Sequence, residues 1–230
     1  MKTLNDLDIE LLPQRKRGRL INSLSGFKSA NVIGTTDGMG HHNLAMFSSV
    51  VHLGSDPALL GVVLRPPVEP EHGSHTYWNI RETGVFTINH VGSSWYEKAH
   101  QTSARYGAEE SEFDAVGLHP VFRCGFEAPA VEESQVRIGL ERVDEWKIPQ
   151  NDCRFIVGQI RWVEFPEKAW EEDGFLDLEN LDGVAMSSLD AYHSTQQLDR
   201  LSYAKKGVPL TSVKGGDTPA IRTGSPNSWT

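Results

Sequence analysis

The stretch Asn43-Leu44-Ala45-Met46-Phe47-Ser48-Ser49-Val50-Val51-His52 sets an amide, two hydroxyls and an imidazole among apolar residues that otherwise read as a strand. Hydroxyls inside such a strand need partners or a ligand, because a buried polar group left unpaired costs about 1–3 kcal/mol. About two dozen residues later, Ser74-His75-Thr76-Tyr77-Trp78-Asn79-Ile80 gathers small polar groups where a short helix should open. Hydroxyls, side-chain amides and a helix N-terminus are what a protein offers a phosphate. Together the two segments predict a cradle for a phosphorylated cofactor with a flat ring.

Other chemistries find less support. The 230 residues include nine histidines, with His41 and His42 adjacent and His72 near His75. Neighbours in a strand point to opposite faces, so His41 and His42 cannot easily share an ion, and the remaining spacings are not those of a metal site. No metal is expected. A Gly-x-Ser-x-Gly elbow for a nucleophilic serine is missing, and no catalytic side chain is assigned. Cys124 and Cys153 make neither a disulfide framework nor a metal site and read as reduced thiols.

The net charge of −9 argues against nucleic acid or an anionic membrane as partner. One dense basic run, Arg15-Lys16-Arg17-Gly18-Arg19, reads as a solvated helix start. No window approaches the roughly 18 consecutive apolar residues of a membrane span. The first residues lack the apolar core of a secretory signal, so a cytoplasmic location is expected.

The elements that must position these groups are mostly strands. Residues 19–24 have helical spacing and stop at Gly26; residues 30–36 read as a strand, with Asp37-Gly38-Met39-Gly40 as a hairpin turn. Residues 43–52 form the returning strand, and the apolar run 58–64 a strand buried on both faces. Three prolines make 65–73 a loop. A helix over 76–82, capped by Ser74 or Thr76, precedes a strand at 85–89 and a second helix at 95–104. Residues 111–117 read as irregular loop, and 171–173 (Glu171-Glu172-Asp173) as a solvated turn. Long alternating strands at 136–146 and 155–165 join through Pro149-Gln150-Asn151-Asp152. Six or seven strands with few helices predict a mainly β, antiparallel barrel or sandwich. One domain over 1–205 is expected, followed by an extended or disordered tail over 206–230 rich in Pro and Gly.

The chain resembles the flavin reductase-like, flavoredoxin-like proteins. Their fold is a split β-barrel that binds flavin mononucleotide (FMN) at a dimer interface. The resemblance rests on Ser29-Ala30-Asn31-Val32-Ile33-Gly34-Thr35, Asn43-Leu44-Ala45-Met46-Phe47-Ser48-Ser49, His75-Thr76-Tyr77-Trp78-Asn79-Ile80 and Ala99-His100-Gln101-Thr102-Ser103-Ala104. Glu112-Phe113-Asp114, Gly117-Leu118 and Ala128-Pro129-Ala130-Val131-Glu132-Glu133-Ser134 continue it, so that it runs from about Gly26 to Tyr203.

The resemblance implies roles for particular residues. Asn43, Ser48 and Ser49 would bond the flavin ring edge or ribityl chain, with Val50 and Val51 offering backbone groups to the ring. His75, Thr76 and Asn79 would hold the phosphate and ribityl end. Arg65 would neutralise the phosphate, with Ser103 and Arg105 as a second pair, and His193 and Tyr203 would close over the pocket. A homodimeric, cytoplasmic flavoprotein is implied, passing electrons from NAD(P)H to flavin or a small acceptor. A non-catalytic flavin carrier supporting a partner oxygenase is the alternative, as is a binder of another planar anion such as haem or a deazaflavin. Flavin carries the hard redox step itself, so the protein has only to bind, orient and shield.

Overall fold

Residues 1–213 are described by the structure, a computed structural model. Residues 214–230, most of the expected tail, lie outside the described residues. Two helices, α1 (Asp6–Glu10) and α2 (Gln14–Leu24), precede the strands β1 (Lys28–Ser29), β2 (Asn31–Thr36), β3 (His42–Phe47), β4 (Val50–Ser55) and β5 (Ala58–Leu64). Then come α3 (His75–Thr83), β6 (Val85–His90), α4 (Tyr96–Gln101) and α5 (Glu112–Val116). The rest is β7 (Pro120–Arg123), β8 (Phe126–Val131), β9 (Arg137–Lys147), β10 (Arg154–Glu164), β11 (Val184–Ser187) and β12 (Ala191–Ser194).

Seven of these strands form one antiparallel sheet in the order β3-β2-β6-β9-β10-β5-β4. Its two end strands, β3 and β4, are consecutive in the chain and separated only by Ser48 and Ser49. A sheet can meet that condition only by curling until its edges approach at one corner. Ser49 seals the corner: its hydroxyl donates to the Val63 carbonyl at 2.7 Å, and the Val63 N–H donates to the Ser49 carbonyl at 3.3 Å. The fold is therefore mainly β and a split barrel. The single strand expected over 43–52 is in fact two strands on opposite edges, broken where adjacent hydroxyls interrupt the apolar pattern.

The barrel interior holds Ile33, Val62, Leu64, Ile80, Phe86 and Leu140, with α3 laid against it through Tyr77 and Ile80. Close packing explains Gly34, where a Cβ would sit 2.1 Å from the Pro129 carbonyl of β8. A second core joins the outer side of β2 and β3 to α4, α5 and a small sheet ordered β1-β11-β12, through Val32, Leu44, Trp95, Phe113 and Met186.

Several other expectations need correction. Residues 111–117 are not irregular, since α5 occupies Glu112–Val116. Strand β5 is not buried on both faces: Val62 and Leu64 point inward, while Leu59 and Val63 are only half-buried on the outside. The first long helix begins at Gln14 rather than Arg19, and α4 is shorter than 95–104. Glu171 and Asp173 are not simply solvated; both pair with Arg200, whose guanidinium lies 4.1 Å from the Phe175 ring.

Candidate functional site

The corner at Ser48-Ser49 opens onto a cavity of about 600 Å3. From β3 and the corner it takes Asn43, Phe47, Ser48 and Ser49; from the end of β5 it takes Val63, Leu64 and Arg65. The approach to α3 contributes Ser74, His75 and Thr76, and the loop after α4 contributes Thr102, Ser103 and Arg105. The two polar segments of the sequence thus converge on one space. Val50, Val51 and Asn79 are not among the residues bordering it.

A buried hydrogen-bond network joins the strand to the helix. Asn43 donates its amide to the hydroxyls of Thr76 at 2.9 Å and Thr35 at 3.2 Å, and Asn79 donates to Thr35 at 3.1 Å. All four side chains lie in the interior. Asn79 therefore stands behind the cavity wall and braces it, where the resemblance implied a direct ligand.

The start of α3 has an unusual backbone. Ser74 adopts φ 61°, ψ 28°, a left-handed conformation uncommon outside glycine. Its side chain makes no helix cap, contrary to expectation; instead its hydroxyl accepts from the Val68 N–H at 3.1 Å and pins the proline loop. The Tyr77 and Trp78 N–H groups turn back to the Ser74 carbonyl at 2.9 and 3.2 Å. The N–H groups of His75 and Thr76 have no acceptor within the helix, and both residues border the cavity. The first turn of α3 carries no acidic side chain, so the positive end of the helix is uncompensated. Arg65 and Arg105 add full positive charge. The donor set fits a phosphate and a polyol chain, and Phe47, Val63 and Leu64 supply apolar wall for a ring.

Several bordering residues escaped the sequence reading, among them Glu112, His100 and Cys153. Glu112, at the start of α5, is 5% exposed and accepts the Leu44 N–H at 2.8 Å. Burial pushes its carboxyl above the usual range, against the lowering effect of the Leu44 bond. Acidic residues at 112 and 114 following Ser111 were the available helix-start signal. His100 borders the cavity from α4 and Cys153 from the turn before β10. His193 and Tyr203 do not border it: His193 bonds Ser187 at 2.9 Å, and Tyr203 is exposed.

Comparison with known proteins agrees with this fold. The flavin reductase like domain family matches residues 24–183. A split-barrel protein from Shewanella frigidimarina NCIMB 400, assigned as a flavin reductase, is 46% identical over 89% of this chain and 100% of its own, with a TM-score of 0.84. Nitrilotriacetate monooxygenase component B from Bacillus cereus is 18% identical, covering 87% of this chain and 98% of its own, with a TM-score of 0.76. Flavoredoxin of Desulfovibrio vulgaris (Miyazaki F) is 24% identical, covering 79% and 92%, with a TM-score of 0.64. The last two likenesses concern the fold alone. Among curated proteins no match is found. With its profile spanning most of the chain and a relative of 46% identity over nearly all of it, the protein belongs to the flavin reductase like domain family.

Proposed function

We propose that the chain binds FMN in this cavity and passes electrons from NAD(P)H to flavin or to a small acceptor. Family membership carries a flavin-related oxidoreductase function; the identity of the flavin, the donor and the acceptor are the finer reading. One observation carries it: Asn43 and Ser49 of the barrel corner meet Thr76 of α3 around a single cavity of about 600 Å3, within the usual size range for cofactor sites. A bound flavin would supply the hydride-accepting and electron-passing chemistry. The chain's residues do the rest. Arg65, the N–H groups of His75 and Thr76, and the Ser103–Arg105 pair hold the phosphate; Asn43, Ser48 and Ser49 bond the ribityl chain or ring edge; Phe47 and Val63 exclude water.

The reading includes a homodimer. Strands β4, β5, β10 and β9 turn an apolar outer face to solvent, with Val51, Leu53 and Trp146 at 43%, 40% and 54% exposure. Trp146 stacks on Phe155, and that ring lies over Gly61, where a Cβ would come within 2.3 Å of it. The face continues to the cavity rim through Val63 and Cys153. A second copy would cover the exposed edge and complete the rim. No helix among the described residues is long and apolar enough to cross a membrane. Free Cys124 and Cys153 fit a reducing cytoplasm.

The absorption spectrum of the purified protein, with the ligand released on denaturation, tests the proposal. A yellow protein, or one that takes up added FMN, is expected. A colourless protein that ignores FMN but is stabilised by haem or a deazaflavin would replace it. A second reading, supply of flavin to a partner oxygenase, is favoured by the likeness to a monooxygenase component B. Oxidation of NAD(P)H with excess FMN separates a reductase from a carrier, because only the former consumes the nicotinamide.

A further inference from the structure

The last turn of α4 presents His100 to the cavity. Its Nδ1 lies 2.9 Å from the hydroxyl of Tyr192 on β12, and the two rings meet edge to face at 5.7 Å. Tyr192 is itself held, half-buried, against Tyr96 at 5.1 Å and on the second core. Burial, with Asp190 nearby, pushes its phenol up to about 12, so it keeps its proton at any physiological pH. Among the described residues, His100 Nδ1 is the one hydrogen-bond partner of that hydroxyl.

The polarity of the pair follows. A protonated phenol can donate to Nδ1 or accept from it, and donation is the arrangement that gives the half-buried phenol's proton a partner, since His100 Nδ1 is the one it reaches among the described residues. The imidazole then carries its own hydrogen at Nε2. A protonated imidazole also carries a hydrogen at Nε2. With the phenol donating, Tyr192 disfavours the one form of His100 in which Nε2 would be an acceptor. Among the described residues, nothing accepts from Nε2. The backbone of the same residue fixes the neighbouring donors, since the His100 carbonyl accepts the Ser103 N–H at 3.0 Å and so anchors the loop that brings Ser103 and Arg105 to the cavity.

We infer that Tyr192 fixes His100 as a donor, through Nε2–H, to an oxygen of the flavin nucleotide bound beside Ser103 and Arg105. The inference rests on the function proposed above and goes beyond it by giving the α4 wall a single polarity. Such a wall favours ligands that present oxygen acceptors, a phosphate or a ring carbonyl, and disfavours those that present N–H donors.

The test has two arms. Nitrogen-15 NMR of the histidine side chains, on flavin-free protein, reads the tautomer of His100 directly. The Nε2–H form is expected in the parent protein and a mixture of forms in Tyr192→Phe; the same form in both would overturn the role of Tyr192. Fluorescence titration with FMN and with riboflavin reads the contact. His100→Ala is expected to weaken FMN binding roughly tenfold, the scale of one lost hydrogen bond to a charged or well-placed oxygen, and His100→Gln, which keeps an N–H near the Nε2 position, to recover much of it. A loss confined to FMN assigns the contact to the phosphate, and an equal loss with riboflavin assigns it to the ring or ribityl chain. FMN affinity unchanged within twofold in His100→Ala would overturn the inference while leaving the flavin site in place. A parent protein that binds neither flavin would instead overturn the proposed function.

Discussion

Asn43 of β3 donates its side-chain amide to the hydroxyl of Thr76 at 2.9 Å, across 33 residues of sequence. That bond, with its companion to Thr35, fixes the start of α3 against the edge of the barrel. Asn43→Ala would strip two buried hydroxyls of their donor. Stability is expected to fall by about 1–3 kcal/mol in urea unfolding, with flavin affinity falling in parallel. An unchanged urea midpoint would show that the network carries no energy.

Asn79 and Ser49 were expected to act alike, as direct ligands, and the structure separates them. The Asn79 side chain donates to Thr35 at 3.1 Å, so Asn79→Ala should lower stability by about 1–3 kcal/mol and affect flavin through the loosened wall. Ser49 borders the cavity and closes the barrel corner on Val63 at 2.7 Å. Ser49→Ala should weaken flavin binding by about 1–3 kcal/mol as well as loosen the seam. Titrating both variants with FMN under conditions where each is fully folded decides it. Equal losses would return Asn79 to the cavity surface.

The sequence carried the long strands well because β9 and β10 alternate over eleven residues each, and β2, β5 and β6 are flanked by clear turn residues. The break at Ser48-Ser49 was hidden because the apolar pattern resumes at Val50 without a glycine or proline to mark it. Strands β7, β11 and β12, at four residues each, are too short to show alternation. Within the site, residue types pointed to the right segments, yet the directions of neighbouring side chains did not follow from them: Thr76 faces the cavity while Asn79, one turn on, faces Thr35. Long-range pairs such as His100 with Tyr192, or Arg200 with Glu171, leave no local trace at all.

Glu112 makes a pH-dependent prediction. Burial raises its carboxyl in the folded protein, so the folded state holds that proton more tightly than the unfolded chain does. Its contribution is fully present below the ordinary carboxylate range and is lost as pH rises through the raised folded value. Glu112→Gln stays neutral throughout and can still accept the Leu44 N–H through its amide oxygen. The melting temperature of the variant should therefore gain on the parent between pH 4 and pH 8. A difference that is flat with pH would remove Glu112 from the titrating groups.

His90 predicts the opposite slope. It ends β6, with its N–H donated to the Val136 carbonyl at 3.0 Å and its own carbonyl receiving Ser134 at 2.8 Å. Burial lowers its imidazole from 6.5 to about 4. The unfolded chain thus takes up a proton first, and stability falls as pH drops from about 6.5 towards about 4. A gap of that size is on the order of 3 kcal/mol, large beside the 5–15 kcal/mol of a typical domain. Carboxylates held low in the folded state, such as Asp152 by its hydrogen bond from Lys147, act mainly at lower pH, while Glu112 and His41, both raised, act in this window with the opposite sign. His90→Gln keeps both backbone bonds and cannot titrate, so urea unfolding should show the variant gaining stability on the parent as pH drops from 6.5 to 4.5. Parallel declines in the two proteins would place the acid sensitivity on another group.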